Sequence, residues 1–184
     1  KFKQKFLRSD PNNKLITQLD KFIFSFLDTC HVSKMICKYI VLNQTYKVLM
    51  VLRTYQYYAV EALIDRVKNS TKNGYIWHTT GSGKTLTSFK ASQIIMNMPE
   101  VKKVVFVVDR RDLDYQTSKE FNGFSKGSVD STESTDILVR QLEDNTKLIV
   151  TTIQKLNTAI SKKRHEYRLQ SVKSERIIFN IYEY

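Results

Sequence analysis

Gly74-Tyr75-Ile76-Trp77-His78-Thr79-Thr80-Gly81-Ser82-Gly83-Lys84-Thr85 decides how this chain is read. A short apolar run, a glycine-rich turn and the start of a helix follow one another, which is the layout of a phosphate-binding loop. Nucleotide phosphates need backbone N–H donors at close range, and glycine lets the chain approach without a Cβ. Thr80, Gly81, Ser82 and Gly83 are therefore expected to line the cradle. Lys84 is spaced to put a compact positive charge on the outer phosphates and on charge that develops during transfer. Thr85 offers a hydroxyl to Mg²⁺, and the helix N-terminus adds its own partial charge. The strict pattern G-x-x-x-x-G-K-[ST] carries His78 in place of its first glycine. Leu86, Phe89, Ile94 and Ile95 recur at helical spacing beyond the loop, the context the motif requires.

Working outward, 184 residues with 41% hydrophobic and 26% charged content suit a globular domain with its own core. No run approaches the ~18 uncharged apolar residues of a membrane span, and no signal-peptide arrangement opens the chain, so a cytoplasmic location and no membrane partner are expected. Cys30 and Cys37, seven apart, match no zinc or redox spacing even with His31 nearby, and core packing is expected for them. The net charge of +12 is uneven: nine basic and three acidic residues over 1–52, seven and three over 151–184, but eight and nine over 101–150. A polyanion such as DNA is the natural partner for such a balance. The chain opens on Lys1 and ends on Ile181-Tyr182-Glu183-Tyr184, and both ends read as cuts.

Leu15, Ile16, Leu19, Phe22, Ile23, Phe26 and Leu27 predict an amphipathic helix over 13–29. A second helical piece near 33–42 and a β-rich run over 48–52 complete a mainly helical connector, residues 1–52. Spacing of Val60, Leu63, Ile64 and Val67 predicts a helix over 55–69, followed by a first core strand leading into the loop. Strands at 104–108, 148–151 and 177–179 alternate with helices over 112–121, 136–142 and beyond Thr152, with a long polar loop over 122–135. That alternation argues an α/β fold, a parallel sheet covered by helices on both faces, over residues 53–184.

Three further segments carry a resemblance. Arg53-Thr54-Tyr55-Gln56 is similar to the Arg-Pro-Tyr-Gln element with which many superfamily-two helicases and translocases clamp adenine, with Thr54 in the proline position. Gln56 would then read the base, its amide both donating and accepting. Val104-Val105-Phe106-Val107-Val108-Asp109-Arg110-Arg111-Asp112-Leu113-Asp114-Tyr115-Gln116 resembles the helicase segment after the second core strand, which places Arg110 and Arg111 on nucleic-acid backbone. Leu148-Ile149-Val150-Thr151-Thr152-Ile153-Gln154-Lys155-Leu156 resembles a third element, in which Thr151 and Thr152 would bind a DNA phosphate at a helix N-terminus. As solvated charges and a simple N-cap, the same residues would need no ligand at all.

In order and wording these segments resemble the restriction (R) subunit of type I restriction-modification enzymes. The resemblance implies a P-loop NTPase with a RecA-like motor lobe at 53–184, truncated at its motif II strand, preceded by a connector that follows a nuclease domain. It implies ATP and Mg²⁺ as cofactors. Double-stranded DNA and the modification and specificity subunits are the implied partners. In that family an Asp-Glu pair follows the strand at Ile177-Ile178-Phe179. Here Tyr182 and Glu183 take those positions, leaving Glu183 as the candidate catalytic carboxylate. A phenol that titrates near about 10 is a poor Mg²⁺ ligand at neutral pH, so negligible ATPase is expected of the chain alone. Glu100-Val101-Lys102 matches half a nuclease signature without an upstream Asp and is read as chance. Two other readings remain open. One is a P-loop metabolite kinase holding Mg²⁺ through Asp109, and the other is a non-enzymatic remnant that binds DNA or a partner protein.

Overall fold

A computed structural model of the chain describes residues 8–12, 14–108, 118–123, 130–131, 134–161 and 177–182. Its centre is a four-stranded parallel sheet, made of β3 (Lys103–Val108), β4 (Asp130–Ser131), β5 (Leu148–Thr152) and β6 (Ile177–Tyr182) in the order β4-β5-β3-β6. Val104 pairs with Leu148 on one side and Ile178 on the other, and Val108 with Thr152 and Tyr182. The carboxyl ends of the three longer strands are thus level. β3 and β5 are buried throughout, as expected for strands covered on both faces.

The two-residue period of a strand divides β3 between two apolar clusters. Val104, Phe106 and Val108 pack with Leu148, Val150 and Phe121 against α3 (Thr54–Asn69) and α4 (Lys84–Ile95). Val105 and Val107 pack with Ile149 against Leu138, Val139 and Leu142 of α6 (Thr135–Glu143) and Ala159 of α7 (Ile153–Ser161). Phe121 lies in α5, which is described over 118–123. Helices therefore cover both faces of the sheet, as the alternation of apolar runs implied. Lys103 is buried at the start of β3 because the end of α6 offers it carbonyl acceptors: Gln141 O and Thr146 O, each 3.1 Å from Nζ, and Asp144 O.

The N-terminal region departs from the expected helix over 13–29. Asp10 Oδ1 accepts from the backbone N–H of Asn12 and Lys14, both at 2.9 Å, and Ser9 bridges to Leu15. This side-chain-locked turn at Asp10-Pro11 consumes the residues that would have begun the helix, so α1 spans only Leu19–Phe26. The second predicted helix is α2 (Thr29–Lys34), capped by Asp28 and continued by a π-helical turn, Met35–Tyr39. It gives way at Ile40 to β1 (Ile40–Asn43), which pairs antiparallel with β2 (Val48–Val51). The wider turn carries Tyr39 into the main core; Cys37 within it and Cys30 in α2 are both exposed. Core packing of the two thiols is therefore corrected. Tyr39, Val41 and Leu52 share the cluster of α3 and α4, and Lys90 of α4 donates to Ile40 O at 3.1 Å.

Two further corrections concern the sheet. The strand expected over Gly74–Trp77 does not form: these residues have no regular structure, and Tyr75 and Trp77 are 91% and 88% exposed. None of the described strands pairs with them, and an apolar run without a neighbouring ladder has nowhere to place its backbone hydrogen bonds. The polar loop expected over 122–135 contains edge strand β4, paired with β5 at Asp130–Ile149. Most of the helix expected over 112–121 lies outside the described residues.

Candidate functional site: the phosphate loop and its brace

Thr79 O accepts from Ser82 N at 3.2 Å, closing a turn over Thr79–Ser82 that delivers the chain into α4. Gly81 and Gly83 both have φ of +74°, in the left-handed region where a Cβ is disfavoured. At Gly83 the constraint is doubled, because a Cβ there would lie 2.5 Å from Gln56 Nε2. Thr87 donates to Gly83 O through both its N–H and its hydroxyl, each at 3.2 Å, fixing the first turn of α4. Lys84 and Thr85, the first residues of α4, are half-buried, and Thr80 and Gly81 are exposed.

The loop is held from behind by the start of α3. Gln56 is only 3% exposed. Its Oε1 accepts from Arg53 N at 2.8 Å, while Nε2 donates to Ser82 O at 3.2 Å and to Gly83 O at 3.1 Å. Tyr55 donates its hydroxyl to the same Ser82 oxygen at 2.7 Å. On the other side of the turn His78 Nδ1 lies 3.1 Å from Ser82 Oγ, and its ring meets Tyr55 edge-on with centroids 6.1 Å apart. Burial first, and the charge of Lys84 second, hold the His78 pKa below 6.5, so the ring is neutral at pH 7. A neutral ring in the tautomer that leaves Nδ1 unprotonated accepts from the serine hydroxyl.

Sequence reasoning singled out Gln56 for its chemistry; the structure places it inside the protein with its amide bonded to the loop. Tyr55 and His78 were missed as parts of the brace. Tyr55 adjoins the singled-out glutamine and His78 departs from the loop pattern, but their meeting across 23 positions has no local signal. Thr151 and Thr152 end β5 fully buried. Thr152 Oγ1 accepts from Lys155 N at 3.3 Å and so caps α7, while Thr151 Oγ1 has no hydrogen-bond partner among the described residues. Asp109, Arg110, Arg111 and Glu183 lie outside the described residues. Among the described residues no group of three His, Cys, Asp or Glu side chains could hold a metal ion, and no helix is long and apolar enough to cross a membrane.

The SWI2/SNF2 ATPase family model matches residues 55–183, the stretch that holds the glycine-shaped loop, α4 and the strands of the sheet. The endonuclease subunit of a Staphylococcus saprophyticus type I restriction enzyme is 52% identical over 179 residues, covering 97% of this chain and 19% of that protein. A Mycoplasma pneumoniae protein, described as the C-terminal part of such a subunit, is 40% identical over 183 residues, covering 92% of this chain and 88% of its own length. The chain belongs to the type I restriction enzyme endonuclease subunits. A Haemophilus influenzae member of the family is 32% identical over 114 residues. The chain spans about a fifth of the staphylococcal subunit's length, and the part it spans carries the ATPase homology of a helicase-like motor. These similarities favour a piece of a restriction motor over the metabolite kinase.

Proposed function

We propose that residues 53–184 form the first RecA-like, ATP-binding lobe of a DNA translocase, and that residues 1–52 are the mainly helical connector following a nuclease domain. The observation that carries this reading is the loop at Gly81–Gly83, held in a left-handed shape that only glycine adopts cheaply and opening directly into α4. ATP with Mg²⁺ fits it: two backbone carbonyls are tied back toward Gln56, and nothing lies within 4 Å of where a side chain would project at Gly81. Bound ATP supplies a transferable phosphoryl group. Thr80, Gly81, Ser82 and Gly83 surround its phosphates, Lys84 neutralises the outer charge, and Thr85 offers its hydroxyl to the metal.

Gln56 is proposed to select adenine, for which its amide must exchange part of its present bonding to the loop. Arg110, Arg111, Thr151 and Thr152 are proposed to meet double-stranded DNA along the carboxyl edge of the sheet, where ligands of open α/β sheets bind. Because Thr151 and Thr152 are buried, this contact requires the end of β5 to become accessible when DNA binds. Glu183 is proposed as the general base. Tyr182 beside it is a poor Mg²⁺ ligand, so this chain binds ATP without turning it over at a motor's rate. The modification and specificity subunits are the proposed protein partners, and the cytoplasm the proposed location.

Equilibrium DNA binding over a series of salt concentrations, with and without Mg·ATP, tests the assignment. A motor lobe binds duplex DNA with a steep salt dependence and an affinity that shifts with ATP. DNA binding that ignores ATP would instead support the non-enzymatic remnant.

A further inference from the structure

We propose that Tyr55 is a positioning residue for the phosphate loop, acting through its hydroxyl on the Ser82 carbonyl and independently of the nucleotide base. The inference rests on the reading of this loop as an ATP cradle. It starts from a weakness in such a loop: Gly83 tolerates φ of either sign, so the peptide joining Ser82 to Gly83 can rotate at little steric cost. A rotated peptide would present an oxygen to the phosphates instead of an N–H.

The structure shows what resists that rotation. Ser82 O accepts from Tyr55 Oη at 2.7 Å and from Gln56 Nε2 at 3.2 Å. The shorter bond is the tyrosine's. In a planar trans peptide the N–H lies opposite the C=O, so holding Ser82 O toward α3 aims the Gly83 N–H away from α3 and out of the loop. The next peptide is held the same way, with Gly83 O tied to Gln56 Nε2 and to Thr87 and the Lys84 N–H directed opposite. Two consecutive donors are thereby aligned, which is the concavity that takes an anion.

Tyr55 also carries no conflict of duty. Gln56 can read a base only by releasing part of this brace, whereas the Tyr55 hydroxyl can hold Ser82 while the glutamine turns to the nucleotide. Its ring is braced edge-on by His78, which itself holds the Ser82 side chain.

The test compares the native chain with Tyr55→Phe, which removes the hydroxyl and keeps the ring. Affinities for ATP and for inorganic tripolyphosphate, both with Mg²⁺, are measured alongside the unfolding midpoint without ligand. Release of the Ser82 peptide predicts binding weakened about fivefold to tenfold for both ligands, with the midpoint lowered by no more than the few degrees that one hydrogen bond is worth. Unchanged affinities would overturn the proposal. So would a loss confined to ATP, which marks a base contact, or a midpoint so low that the variant is partly unfolded at the binding temperature, which marks a structural residue. A native chain that binds neither ligand would remove the cradle reading itself and this proposal with it.

Discussion

The two flanks of the phosphate loop both carry large apolar residues and behave differently. Downstream, Lys84–Ile95 is helical, and Leu86, Phe89, Ala91 and Ile95 are buried against α3 and the sheet. Upstream, Tyr75-Ile76-Trp77 is more apolar for its length and stands open to water without a strand partner among the described residues. A helix closes its hydrogen bonds within itself and needs neighbours only for its face, whereas a strand borrows every bond from another strand. The loop's shape is therefore set by what the chain packs behind it, α3 and α4, and not by the segment that leads into it.

The sharpest way to break this comparison is Phe89→Ala. Phe89 is fully buried with its ring 5.2 Å from that of Phe121, and its truncation should cost about 3–5 kcal/mol in denaturant unfolding. A cost near that of a surface residue would show that the downstream flank is not the core. Gly83→Ala comes next, at about 1–3 kcal/mol, because left-handed strain adds to the displacement of the Gln56 amide. ATP affinity should fall with it. Gly81→Ala meets no atom within 4 Å and should cost only the strain, about 1 kcal/mol. Equal costs at the two glycines would remove Gln56 from the brace.

A smaller effect is expected from pH. The pKa of His78, like that of His31, is lowered from 6.5, chiefly by burial. The unfolded chain takes up these protons first as pH falls, so the stability these rings contribute is complete above pH 6.5 and is lost below it, down through their folded pKa values. His78→Asn should make a plot of stability against pH shallower below 6.5 than the native one; an unaltered slope would place the imidazole in free solvent. The smallest effect belongs to the upstream flank: Trp77→Ser should change stability by less than about 0.5 kcal/mol. A loss of several kcal/mol would show that Trp77 is packed.

Periodicity made α3, α4 and α6 legible because each buries one face on a helical repeat, and continuous apolar runs made β3 and β5 legible because both are buried on both faces. The turn at Asp10-Pro11 escaped notice because a carboxylate's bonds to Asn12 and Lys14 outweigh helical spacing further along. The exposed cysteines escaped because the π-helical turn over Met35–Tyr39 alters which residues share a face. Within the site, Gly81, Gly83, Lys84 and Thr85 were readable as a local pattern. The hydrogen bonds of Tyr55 and Gln56 to Ser82 were not, since they join residues 27 and 26 positions apart that meet only when α3 packs on α4.

The central claim is that the braced loop is a working ATP cradle. Equilibrium binding of a fluorescent ATP analogue with Mg²⁺ to the native chain and to Lys84→Ala tests it most directly. The account predicts saturable binding by the native chain and its loss in Lys84→Ala, with the two unfolding at the same midpoint in the absence of nucleotide. Equal binding by both, or no binding by a native chain shown to be folded by circular dichroism, would contradict it.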